Sequence, residues 1–138
     1  MNKEDAIKLA KIAESARGAS YSPYSGFAVG AALLTESDEI FTGANIESSS
    51  YTPTVCAERV AFFTAVHAGH RNFSAIAITG GKSGEALSDF CPPCGVCRQV
   101  MAEFADGDFE IILYNGKDVK IYTLSELLPA GFNQDNLK

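Results

Sequence analysis

Between Ile40 and Tyr114 the chain alternates apolar runs of strand length with alanine-rich helical stripes, and that alternation leaves few folds open. Ile40–Ile46, Phe73–Thr79 and Phe109–Tyr114 read as strands, and Cys56–Ala68 and Cys94–Ala105 read as helices. A β-α-β-α-β stretch forms right-handed crossovers. Both crossover helices then start at the carboxyl ends of the strands, the edge where open α/β sheets place ligands. The flanks complete the pattern. Lys3–Ala16 carries a helical stripe closed by Gly18, and Phe27–Leu34 pairs with Ile40–Ile46 as a hairpin across Thr35–Glu39. Asn115-Gly116 is a turn before a strand over Val119–Tyr122, and Ser125 caps a last short helix through Leu128, ended by Pro129. Ser20–Gly26, Glu47–Val55 and Gly80–Pro92 read as loops. With no repeat and no linker, residues 1–138 form one domain, a sheet with helices on its faces.

Charge and composition narrow the function classes. Eleven basic against seventeen acidic side chains give a net charge of −6, the wrong sign for a broad phosphate-binding face, so a nucleic-acid polymer is not an expected partner. With 46% hydrophobic and 20% charged residues, the chain has what a packed core needs. No apolar run approaches the ~20 residues of a membrane span. The start, Met1-Asn2-Lys3-Glu4-Asp5, lacks a signal-peptide pattern, so the expected location is cytoplasmic.

Four cysteines in such a chain are not a disulfide framework. Four small core hydrophobes would explain a scattered set, but not Cys91-Pro92-Pro93-Cys94-Gly95-Val96-Cys97, where two prolines and a glycine mark a loop entering a helix. Cys94 and Cys97 are three apart, so in a first helical turn their sulfurs share a face. Pro93 suits the entry to that turn, and the helix dipole favours thiolates there. The topology brings Cys56, at the start of the neighbouring helix, to the same edge. Three protein ligands with one open position are the layout of a catalytic zinc. Glu58, two residues on, reaches back toward that site as a carboxylate able to move protons without being a ligand. Cys91 keeps alternatives open: the opening of an iron–sulfur run, a closed four-cysteine zinc, or a redox dithiol at Cys94 and Cys97.

The pattern Cys56-Ala57-Glu58 followed by Pro93-Cys94-x-x-Cys97 resembles the zinc nucleoside and nucleobase deaminases. Ser22-Pro23-Tyr24-Ser25-Gly26-Phe27, Gly43-Ala44-Asn45-Ile46-Glu47 and Cys94-Gly95-Val96-Cys97-Arg98-Gln99, in that order, are similar to the small cytidine deaminases of pyrimidine salvage, from Ala6 to Phe132. The resemblance implies a three-layer α/β/α sandwich around a mixed five-stranded sheet. It implies hydrolytic deamination of cytidine and 2′-deoxycytidine by a zinc-activated water, with one Zn²⁺ per subunit held by Cys56, Cys94 and Cys97. Glu58 would be the proton shuttle, the Ala57 main chain would contact the base, Phe27 would stack on it, and Asn45 and Glu47 would bind the ribose. Leu127–Phe132 resembles a C-terminal segment that enters a neighbouring subunit, implying a homotetramer with shared sites to which Phe132 and Tyr51 contribute. Three thiolates leave zinc with a net negative surrounding, and Arg59 resembles an arginine that hydrogen-bonds the ligand sulfurs and offsets it. Two other readings remain: deamination of another aminopyrimidine nucleoside, such as a nucleoside antibiotic, and a non-catalytic zinc module.

Overall fold

A computed structural model describes residues 1–138. Helix α1 (Lys3–Ala16) starts at Asn2, whose side chain accepts from the Asp5 N–H at 2.8 Å, and Glu4 and Asp5 occupy the positive end of its dipole. Strands β1 (Phe27–Thr35) and β2 (Ile40–Ala44) form the expected hairpin, with Gly30 opposite Ala44 and Leu34 opposite Ile40. Helix α2 (Ala57–His67) leads to β3 (Phe73–Lys82), and α3 (Gly95–Phe104) to β4 (Glu110–Tyr114). Strand β5 (Val119–Thr123) and the single turn α4 (Leu124–Leu127) follow.

The sheet order is β2-β1-β3-β4-β5. Strand β1 is antiparallel to both β2 and β3, β3 is parallel to β4, and β5 is antiparallel to β4. Strands β2, β3 and β4 therefore share a direction, so α2 and α3 both begin at one sheet edge. That edge also holds the start of β1, because Phe27 lies opposite Lys82 at the end of β3. Alternation along the strands divides the core. Ala6, Leu9, Ala10 and Ala13 of α1 pack on Ala32, Ala75, Ala77 and Ile112. Residues of α2 and α3, among them Ala61, Phe62, Ala65, Cys97 and Met101, pack on Leu33, Ile76, Ile78 and Ile111 of the opposite face. The result is the three-layer α/β/α arrangement around a mixed five-stranded sheet. No helix is long and apolar enough to cross a membrane.

Several boundaries differ from the sequence reading, and the following do so for a local reason. Cys56 and Cys94 do not lie in the first turns but occupy the N-cap positions just before them, with extended backbone at ψ 155° and 167°. Strand β2 stops at Ala44 rather than Ile46, because the Asn45 side chain takes over the pairing with β1. Its Oδ1 accepts from the Val29 N–H at 2.9 Å, and its Nδ2 donates to the Phe27 carbonyl at 2.8 Å. Strand β3 continues through Gly80-Gly81-Lys82, which find partners in Val29, Ala28 and Phe27. Thr123, not Ser125, caps α4, in a capping box with Glu126.

One close approach positions α2. A Cβ at Gly43 would sit 2.3 Å from the Ala57 carbonyl oxygen and 2.6 Å from the Ala61 nitrogen, so only glycine in β2 lets the start of α2 lie this near the sheet.

Candidate active site

The cysteines at the two helix starts meet. The sulfurs of Cys56, Cys94 and Cys97 all lie within 4.8 Å of one another, with Cys56 and Cys94 at 3.8 Å. Cys94 is the N-cap of α3 and Cys97 its third residue, two positions close enough that in a capping box each side chain reaches the other's backbone N–H. Neither helix has a side-chain cap, so the amides of both first turns are left for the thiols. A tetrahedral zinc with bonds of about 2.3 Å has sulfur–sulfur edges of about 3.8 Å, so the donor set fits zinc in both chemistry and spacing. The hydrogen bond with Cys97 lowers Cys56 to about 5, while the same bond pushes Cys97 up. Metal binding displaces thiol protons.

Cys91 stands outside this group. Its sulfur occupies the space over Gly80, 2.7 Å from where a Cβ would be, and burial pushes its thiol up to about 11. The cluster is thus three cysteines, neither the four of a closed zinc site nor a linear iron–sulfur run. Arg59 reaches it from the first turn of α2. Its Nη2 donates to the Cys56 sulfur at 3.4 Å, while its Nε is buried without a partner.

Glu58 is 4% exposed, and burial raises its carboxyl from 4.5 to about 7, with the nearby Cys56 charge acting in the same direction. It lines a cavity of about 320 Å³ together with Cys56, Cys94, Phe27, Asn45 and Glu47. That is the lower end of the size range of small-molecule pockets. Ala57, fully buried, sets its main chain at the first turn beside the cluster. Phe27 is 41% exposed and forms one wall.

Asn45 and Glu47 flank that wall but are held differently. Asn45 spends most of its amide on the protein, its Oδ1 also accepting from the Ser20 hydroxyl at 2.6 Å, and keeps one N–H. Glu47 accepts from the Tyr24 and Ser25 N–H groups at 3.0 and 3.1 Å and from the Ser25 hydroxyl. The Ser25 hydroxyl foremost holds this carboxyl below its ordinary value. Ser20 and Ser25 are supporting residues that the sequence left as loop; Ser25 stood in the Ser22–Phe27 motif without a role of its own.

Two predicted contributors stand apart. Tyr51, 74% exposed, lines only an adjoining cavity of about 340 Å³ that shares Ser25, Glu47 and Thr54 with the first. Phe132, 57% exposed, lines neither; its carbonyl accepts from Gln99 Nε2 at 2.7 Å.

Comparisons with known proteins agree with this geometry. Residues 3–113 match a family model described as the cytidine and deoxycytidylate deaminase zinc-binding region. A cytidine deaminase of Sporosarcina psychrophila is 46% identical over 134 residues, 96% of this chain and 95% of its own. A blasticidin-S deaminase of Bacillus cereus is 36% identical over 110 residues, 78% of each chain. A crystal structure of cytidine deaminase from Burkholderia pseudomallei superposes with a TM-score of 0.83 at 41% identity, covering 96% of this chain and 100% of that one.

Proposed function

Since the chain belongs to the cytidine and deoxycytidylate deaminase zinc-binding family, we propose that it hydrolyses cytidine and 2′-deoxycytidine to uridine and 2′-deoxyuridine, releasing ammonia. One observation carries the reading: a buried carboxyl of raised pKa and two of three clustered thiols line one cavity with an aromatic ring and a second, ionised carboxylate. Cys56, Cys94 and Cys97 would hold one zinc per chain, which supplies the activated water for addition at C4 of the pyrimidine.

The chain's own residues do the rest. Glu58, poised near neutrality, accepts a proton from the water and delivers it to N3, then takes the remaining proton from the oxygen added at C4 and passes it to the departing amine, leaving the C4 carbonyl. Its burial keeps bulk water from competing for that proton. Phe27 stacks on the base, and the Ala57 main chain contacts its edge. Glu47, fixed by three hydrogen bonds from Tyr24 and Ser25, accepts from a ribose hydroxyl, and the spare Asn45 N–H donates to another. No lysine, arginine or histidine lines either cavity, which favours a nucleoside over a phosphorylated nucleotide. Arg59 offsets the charge of the thiolates through its bond to Cys56.

Tyr51 and Phe132, exposed and away from Glu58, act in the cavity of a neighbouring chain within a homotetramer. The setting is pyrimidine salvage in the cytoplasm. The relationship to the Bacillus cereus protein supports a second reading, an aminopyrimidine nucleoside antibiotic as substrate.

The test is ammonia release from cytidine by the purified protein, beside a chelator-stripped sample and the same sample resupplied with zinc. Release that vanishes on stripping and returns with zinc supports the proposal. Release from blasticidin S but not cytidine selects the second reading, and release from neither overturns both.

A further inference from the structure

Phe27 borders two cavities. It lines the one just described and also a second, of about 340 Å³, walled by Gly80, Lys82, Glu85 and Phe90. A ring that borders two cavities and is 41% exposed is held only in part by packing, so its place depends also on how the main chain around it is anchored. Ser25 Oγ accepts from the Phe27 N–H at 3.0 Å and Asn45 Nδ2 donates to its carbonyl at 2.8 Å. The next anchor comes from the opposite layer of the molecule.

Arg17, in the short turn after α1, sends its side chain across Gly30 of β1 and Gly81 of β3. A Cβ at Gly30 would lie 3.1 Å from Arg17 Cγ, and one at Gly81 3.2 Å from Nη2, so these glycines form the channel it crosses. Its Nε donates to the Ala28 carbonyl at 3.0 Å, Nη2 to that of Lys82 at 3.1 Å and Nη1 to that of Glu85 at 3.2 Å. None of the ion pairs in the molecule includes it. The guanidinium is therefore spent on main-chain oxygens of two segments: the residue after Phe27, and the loop that runs from Lys82 to Cys91. The Ser83 N–H, bonded to the Gly26 carbonyl at 2.8 Å, ties the same two segments at a second point.

We propose that Arg17 is a positioning residue for the nucleoside pocket, clamping the start of β1 and the Lys82–Cys91 loop from behind the sheet so that the Phe27 ring stays in place. The role of Phe27 toward the base rests on the function proposed above; the clamp itself does not. Small displacements of a positioning group weaken substrate alignment severely. A lysine has one nitrogen and cannot bond three divergent carbonyls at once, so it replaces the clamp only in part.

The experiment uses Arg17→Met and Arg17→Lys in the full-length zinc-loaded protein, with two readouts. The first is cytidine kinetics with zinc content: KM is expected to rise roughly 10-fold or more in Arg17→Met and less in Arg17→Lys, with kcat within about threefold and zinc at one per chain. The second needs no activity. Amide hydrogen exchange should speed up in residues 26–29 and 82–91 and stay unchanged at the starts of α2 and α3. Should the wild-type protein fail to deaminate cytidine, the functional reading falls and the exchange pattern alone decides the clamp. An unchanged KM in an active enzyme, or exchange that is unaltered or raised uniformly across the molecule, overturns the positioning role. Where Arg17→Met does not fold, Arg17→Lys carries both readouts.

Discussion

A carboxyl group surrounded by thiols and helix backbone is costly to ionise, and Glu58 is held there with its carboxyl raised to about 7. Replacing it by glutamine keeps the shape and removes the proton carrier. Glu58→Gln is expected to retain one zinc per chain while ammonia release falls by roughly 10²–10⁴-fold, the usual worth of a positioned acid–base group. Normal turnover in the variant would remove Glu58 from the chemistry. The same residue sets a pH dependence in the metal-free protein. Between pH 4.5 and 7 the folded chain holds a Glu58 proton that the unfolded chain has lost, so wild-type stability falls as pH rises through that window. Glu58→Gln lacks this dependence, and should gain on the wild type by on the order of 3 kcal/mol by pH 8. Chemical denaturation at a series of pH values measures the gap; parallel curves would contradict it. Arg59→Gln should loosen zinc by roughly 10–100-fold in competition with a chelator. At this scale the sequence was readable where residue type carries the chemistry, as for Cys56, Glu58, Cys94 and Cys97. It was silent on Arg17 and Ser20 and gave no role to Ser25, whose partners are carbonyls, amides and side-chain oxygens that tertiary structure alone brings near.

Helix α2, which carries Cys56 at its start, begins where Gly43 lets the backbone close in, and the element boundaries show how glycines work in this fold. Periodicity, with cap and turn signals, located α1–α4 and β1–β5, but Gly80-Gly81 reads as a break because glycine is poor in strands. Here β3 keeps pairing with β1 through both glycines, and their missing side chains make room for Cys91 on one face and Arg17 on the other. Asn45 likewise ends β2 two residues early, since its amide supplies the hydrogen bonds that the next backbone unit would have made. Gly43 tests the helix placement. In Gly43→Ala the new methyl meets backbone atoms of α2 at 2.3 and 2.6 Å, which cannot rotate away, so the helix start must move. The expected cost is about 1–3 kcal/mol in urea denaturation, together with weaker zinc binding because Cys56 moves relative to Cys94. Gly18→Ala, with nothing within 4 Å of the added atom, is the control that should leave both unchanged or slightly raise stability. Equal behaviour of the two variants would show that the approach of α2 to β2 does not set the cluster.

At the scale of the whole molecule, Glu58 and Phe132 cannot both serve one cavity within a chain folded as this one is, since Phe132 lies outside it. The sequence resembled a segment that reaches a neighbour, but no periodicity or spacing could say which surface it meets, because that information resides in a second copy. If sites are shared in a closed assembly, each complete site needs Glu58 from one chain and Phe132 from another. Glu58→Gln and Phe132→Ala chains are then each inactive or nearly so alone. In an equal mixture assembled together, a site is complete when its own chain carries Glu58, with chance one half, and its neighbour carries Phe132, again one half. About a quarter of the sites should therefore recover wild-type turnover, at a mass of four chains by light scattering. If Phe132 instead served its own chain, no mixture could exceed the average of the two parents. A single-chain mass would give the same result and would return Tyr51 and Phe132 to the status of surface residues.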